Sequence, residues 1–135
     1  MDLGLKGKVA VITGGAGGIG RALADAFEAQ GAAVALLDRD EAALDEAAAE
    51  RGGRPFVVRC DVTDPDDCAA AMAAVQAELG GIDVLVNNAG ISHRSPFVRT
   101  DAAVLRRVMD VNFFGAVNCT RAALPALKAS RGQIA

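Results

Sequence analysis

The stretch Val9-Ala10-Val11-Ile12-Thr13-Gly14-Gly15-Ala16-Gly17-Gly18-Ile19-Gly20 reads as a buried strand, a glycine-rich turn and the first turn of a helix. Its β-branched and apolar residues suit a strand covered on both faces. The glycines let the backbone take positive φ and come close to an anion. A helix starting there aims free N–H groups and the positive end of its dipole at a pyrophosphate. Gly15, Gly17 and Gly20 satisfy the general dinucleotide spacing G-x-G-x-x-G, which alone is common. Gly14, Gly18 and Gly20, preceded by Thr13, satisfy a second spacing, T-G-x-x-x-G-x-G. A P-loop is the rival, but Arg21-Ala22 follows Gly20 where that loop needs Lys and then Ser or Thr. The bland alternative is a tight turn between strand and helix that holds nothing.

Composition narrows the partners. At 135 residues the chain has the size of one domain with a single core. Its apolar share is 52%, yet no apolar run approaches the ~20 residues of a membrane span. Met1-Asp2-Leu3-Gly4-Leu5-Lys6 lacks a basic segment followed by an apolar one, so the expectation is a soluble, cytoplasmic protein. A net charge of −3 with interspersed signs, and no Trp or Tyr, offers neither a basic stripe nor stacking platforms; nucleic acid and membrane are not expected partners. Cys60, Cys68 and Cys119 form neither a C-x-x-C pair nor an even disulfide set, and read as buried thiols. His93 is the only histidine, so no metal site is expected.

Strands and helices alternate along the chain. Ile19, Leu23 and Phe27 recur every four residues as the expected buried stripe of a first helix, which Gly31 ends. Ala33-Val34-Ala35-Leu36-Leu37 is a second strand ending at Asp38, eighteen residues past Gly20. An acid about 20 residues beyond the fingerprint accepts from ribose hydroxyls and repels a 2′-phosphate, which favours NAD over NADP. Arg39 pulls the other way, because a guanidinium pairs well with phosphate. Asp38 could instead cap the next helix, a role Asp40 fills at least as well. That helix is alanine-rich and reads from Glu41 to Arg51 before Gly52-Gly53. Pro55 to Cys60 reads as a third strand, and Asp64-Pro65 opens a helix to about Leu79 that Gly80-Gly81 stops. Val84-Leu85-Val86 is a fourth strand delivering Asn87-Asn88-Ala89-Gly90. From Thr100, an expected N-cap, a long helical pattern runs to Leu127 with Asn112 interrupting it and Pro125 expected to kink or end it. Gly132 to Ala135 reads as the opening of a fifth strand.

The spacing T-G-x-x-x-G-x-G together with N-N-A-G, each at the end of an expected strand, resembles the short-chain dehydrogenase/reductase family. The resemblance implies a Rossmann-like α/β fold, a doubly wound parallel sheet in which strands one and four meet at the switch point. It also implies an NAD(P)-dependent oxidoreductase that moves a hydride between nicotinamide and a hydroxyl or carbonyl of a small-molecule substrate. The coenzyme set it implies runs from Thr13 and Gly14 through Gly17, Gly18, Ile19 and Gly20 to Asp38 and Arg39. Asp61 would take the adenine amine with Val62 beside the ring, and Asn88, Ala89 and Gly90 would wall the pocket. Asp61 also reads simply as a turn residue. Asp110-Val111-Asn112 matches the family's catalytic asparagine, which holds a water in a proton relay, although a surface Asn on a tolerant helix is the plain alternative.

His93, solitary in a polar loop, is assigned no role. The family's Ser and Tyr-x-x-x-Lys have no counterpart: the chain has no tyrosine, and Leu124 stands four residues before Lys128. The expectation is therefore residues 1–135 as one NAD(P)-binding Rossmann domain, incomplete at its C-terminus, that binds NAD and turns nothing over. A near-edge fourth strand and the apolar face of the 100–130 helix point to a homo-oligomer. The rival from another class is a non-catalytic dinucleotide-binding or interaction module. A flavin or methyl-donor Rossmann protein is third, disfavoured by the two motifs together.

Overall fold

The computed structural model describes residues 1–135. Five parallel strands lie in the order β3-β2-β1-β4-β5. They are β1 (Val9–Thr13), β2 (Ala33–Asp38), β3 (Phe56–Arg59), β4 (Val84–Val86) and β5 (Gln133–Ile134). The crossovers carry α1 (Gly18–Ala29), α2 (Glu41–Ala49) and α3 (Pro65–Leu79), while α4 (Ala102–Met109) and α5 (Gly115–Ser130) join β4 to β5. Val11 pairs with Ala35 on one side and Leu85 on the other, so β1 is the sheet's centre and is buried along its whole length. Its residues alternate between two cores: Val9 and Val11 pack towards α3 and α5, and Ile12 towards α1 and α2. The expected doubly wound sheet is present, with its order reversing between β1 and β4. No helix is long and apolar enough to cross a membrane.

Helix ends follow their residues. Asp40 caps α2 by accepting from the Ala43 N–H, and Asp64 accepts from Asp66 and Asp67 ahead of Pro65 in the first turn of α3. Gly80 ends α3 with φ +86. Several expectations need correction. Ile19 is 71% exposed, whereas Leu23 and Phe27 are half-buried and pack against the core as expected; the fully buried positions of α1 are Gly20 and Ala24, where the helix lies closest to β1. α2 stops at Ala49, and Arg51 folds back into the interior. Asp101, not Thr100, caps α4, its carboxylate 2.8 Å from the Ala103 nitrogen. Pro125 sits inside α5 without ending it. Arg121, whose carbonyl loses its partner to Pro125, lies on the exposed face, while Cys119, Ala123 and Leu127 hold the opposite face in the core. β4 is the near-edge strand expected, with the two-residue β5 outside it and Leu85 opposite Ile134.

Candidate functional site

The glycine turn is shaped by steric necessity. Gly14 has φ +62, and a Cβ there would stand 2.9 Å from Ala89 Cα. A Cβ on Gly20 would run into the Gly14 carbonyl and stand 2.7 Å from Gly15 Cα. Gly20 thus allows α1 to start hard against the turn, and Gly14 allows the turn to touch the segment after β4. Gly18 is different: a Cβ there would meet nothing within 4 Å. α1 begins at Gly18 with Gly17 as N-cap and no side-chain cap, so its first N–H groups have no acceptor from the chain. A turn with free amides and an open face at Gly18 and Ile19 fits a dinucleotide's phosphates.

Thr13 and Asn88 weld this turn to β4. Thr13 is buried; its Oγ1 donates to the Val86 carbonyl at 3.4 Å and accepts from the Ala89 N–H at 3.0 Å. Asn88 Nδ2 donates to the carbonyls of Thr13 and Gly14 at 3.0 and 3.2 Å. Asn87 turns away, donating to Thr120 Oγ1 at 3.2 Å.

Gly14, Asp38, Arg39, Asp61, Val62, Ala89 and Gly90 line one cleft at the carboxyl ends of the strands. Asp38 accepts from the Ala16 N–H of the glycine turn and from the Asp40 N–H, both at 3.2 Å. Asp61 uses only Oδ1, which accepts from the Thr63 hydroxyl at 2.7 Å and the Thr63 N–H at 3.0 Å. Those bonds, with Arg107 and Arg59 nearby, hold its carboxyl below the ordinary range. Its other oxygen is left for a donor. Val62 is almost fully buried beside it.

Asn112 is not part of the cleft lining. It lies in a single π-turn, Asp110–Phe114, between α4 and α5, so the sequence's warning of an interruption becomes a bulge rather than a kink. Its amide clamps one residue: Oδ1 accepts from the Ile91 N–H and Nδ2 donates to the Ile91 carbonyl, both at 2.8 Å. The side chain therefore orients the Gly90-Ile91 backbone. Sequence reasoning missed Cys60, Ile91, Arg107 and Val111, which complete the cleft. Val111 is four residues beyond Arg107, the spacing of one helix face, which is the signal that could have found the arginine. The three cysteines are buried free thiols, with Cys68 and Cys119 sulfurs 3.6 Å apart.

Known proteins resemble this chain in sequence and in fold. The chain is 42% identical over 130 residues to dehydrogenase/reductase SDR family member 7B of Mus musculus, covering 91% of this chain and 40% of that one. It is 43% identical over 135 residues to 11-beta-hydroxysteroid dehydrogenase 1A of Arabidopsis thaliana, covering 96% and 39%. It is 44% identical over 126 residues to cis-4-hydroxycyclohexanecarboxylate dehydrogenase of Sinomonas cyclohexanicum, covering 91% and 51%. The chain thus spans about half or less of the length of these relatives. A crystal structure of a short-chain dehydrogenase/reductase, glucose/ribitol dehydrogenase, from Brucella melitensis superposes with a TM-score of 0.88 at 37% identity, covering 94% of this chain and 54% of that one. The family model for short chain dehydrogenases matches residues 8–135, from the residue before β1 through β5. No element falls outside that match, and the chain belongs to the short-chain dehydrogenase/reductase family.

Proposed function

We propose that this chain forms the coenzyme-binding part of an NAD(P)-dependent oxidoreductase acting on a hydroxyl or carbonyl of a small molecule, and that NAD is its coenzyme. The observation that carries the reading is Asp38. Its carboxylate ends β2, leans on the glycine turn through the Ala16 N–H and shares a cleft with Asp61 and Val62. In this reading the amides of Gly18, Ile19 and Gly20 hold the pyrophosphate, with Gly17 and Gly18 leaving it room. Asp38 accepts from the adenosine ribose hydroxyls, the free oxygen of Asp61 takes the adenine amine, and Val62 packs on the ring. Thr13, Asn88, Ala89 and Gly90 fix the wall between them, and Asn112 acts through Ile91 on that wall. When bound, the coenzyme supplies a hydride acceptor or donor. The chain has no tyrosine to serve as the acid/base beside it, so coenzyme binding without turnover is the expected behaviour of these 135 residues.

Calorimetric titration tests the coenzyme assignment. NAD should bind at least tenfold more tightly than NADP, and Asp38→Asn should narrow that gap by weakening NAD and relieving repulsion of the 2′-phosphate. Equal affinity for both coenzymes in the native chain would sink the Asp38 assignment, with Arg39 then setting the preference. We also infer self-association through the α4–α5 face, where Leu105, Met109, Phe113, Phe114 and Leu124 are each more than a third exposed. Sedimentation should show a dimer or larger, and a monodisperse monomer at all concentrations would refute it.

A further inference from the structure

Two cations line the cleft, Arg39 beside the ribose acid and Arg107 in the last turn of α4. Arg107 is exposed and its guanidinium makes no ion pair or hydrogen bond within the chain, unlike those of Arg21 with Glu46 and Glu50, Arg51 with Asp25, or Arg59 with Asp67. It stands one helical turn before Val111, and both residues line the slot that also holds Val62 and Asp61. Val62 and Val111 are apolar and nearly buried, so the slot has a dry floor and a charged rim. The cleft lining carries two carboxylates, Asp38 and Asp61, and two guanidiniums, Arg39 and Arg107, a set close to neutral overall. Such a rim disfavours an anion, which Asp61 would repel, and suits a flat neutral heterocycle. A guanidinium is planar and weakly hydrated, and it stacks on ring faces as an ammonium does not. The phosphate-accepting amides lie elsewhere, at the start of α1.

We propose that Arg107 is a positioning residue that covers the slot and stacks on the purine base of an adenine nucleotide, while Asp61 holds the ring's edge. This rests on the coenzyme reading above. It assigns to α4 a part in recognising the base that neither glycine turn nor N-N-A-G motif supplies.

Adenosine and AMP are the probes, titrated by ligand-observed NMR and calorimetry against the native protein, Arg107→Met, Arg107→Lys and the control Arg106→Met. Arg106 shares the turn but does not line the cleft. Arg107→Met should weaken adenosine and AMP by the same factor, about tenfold, the scale of a desolvated cation–ring contact. Arg107→Lys should weaken them similarly, because a point charge lacks the plane, and Arg106→Met should leave both unchanged. All variants should melt with the native midpoint, since both arginines are exposed. Native affinity in Arg107→Met overturns the proposal, as does full rescue by Lys. Loss of AMP binding with adenosine unaffected also overturns it, because the contact would then be to phosphate. If the native protein binds neither probe, the coenzyme reading falls together with this one; native binding that ignores Arg107 removes only this one.

Discussion

At the scale of single residues, the site depends on polar side chains that serve backbone rather than ligand. One hydroxyl, Thr13 Oγ1, joins the Val86 carbonyl to the Ala89 N–H, so the end of β1 dictates where the chain goes after β4. Thr13→Val keeps the shape and leaves the Ala89 N–H unpaired, while the Val86 carbonyl keeps the Asn88 N–H at 3.0 Å; the loss should cost about 1–3 kcal/mol in urea unfolding. A change within error would mean that the Asn88 bonds alone set the turn. Thr63 does the same for Asp61 through two bonds to Oδ1. Because the folded carboxyl is depressed, its contribution to stability is present above the unfolded value near pH ~4 and is lost as pH falls through the lower folded value. Thr63→Val should move the Asp61 titration back towards the ordinary range and remove that part of the acid limb. Carboxyl-carbon NMR titration reads it, and an unmoved Asp61 would show that the neighbouring arginines dominate instead. These roles were only half legible. Thr13, Asn88 and Asp61 stood out by motif, but nothing in the sequence said that the Asn112 side chain would clamp the Ile91 backbone, because a contact between residues 21 apart depends on tertiary structure.

At the scale of elements, long and capped segments were legible and their interruptions were not. Asp64-Pro65 and Gly80 bounded α3 by local chemistry alone. Pro125 misled because its effect depends on which face the Arg121 carbonyl takes, and a solvent-facing carbonyl tolerates the loss. Arg51 escaped notice for a related reason: a residue just past an alanine-rich helix looks like surface. It is 6% exposed, and its guanidinium donates to the carbonyls of Ala47 in α2 and Arg21 in α1 at 2.8 and 2.9 Å. Its Nε lies 2.8 Å from Asp25 Oδ1 outside hydrogen-bonding geometry, so that contact is an ion pair. Arg51→Met should destabilise the fold by about 2–4 kcal/mol, and Arg51→Lys should recover less than half, since an ammonium cannot reach two helices at once. Chemical denaturation measures both; full recovery by Lys would reduce the staple to a charge effect. α5 carries a second hidden constraint. A Cβ at Gly115 would stand 2.7 Å from Val62 Cγ2, so Gly115→Ala should push Val62 into the cleft. The expected result is about 1–3 kcal/mol of lost stability with weakened AMP binding, and unchanged AMP affinity would place Val62 outside the base subsite.

At the scale of the molecule, strand order was legible because alternating β and α segments allow few right-handed arrangements, and two motifs at strand ends had to meet across the switch point. The imbalance of the two layers was not legible. One face of the sheet holds a core of 16 buried residues with α3 and α5, the other a core of 6 with α1 and α2. The smaller core includes two alanines and leans on Leu44 and Arg51, so the α2 side should open before the rest. Native-state hydrogen exchange should show the amides of α2 opening with a free energy lower than those of α3 and α5 by on the order of 1–3 kcal/mol. The same layer is wired to the glycine turn. Arg21, the residue after Gly20, donates to the Ala16 carbonyl at 2.8 Å and to Glu50 just past α2 at 2.8 Å, and Asp38 joins the turn to the cap of α2. Opening α2 therefore dismantles the turn, and a ligand that needs the turn must oppose that opening. Saturating NAD should raise the protection of α2 towards that of α3, while α3 and α5 gain only what global stabilisation gives them. If α2 and α3 already exchange with one free energy, the two layers form a single cooperative unit, and the unequal cores have no dynamic consequence.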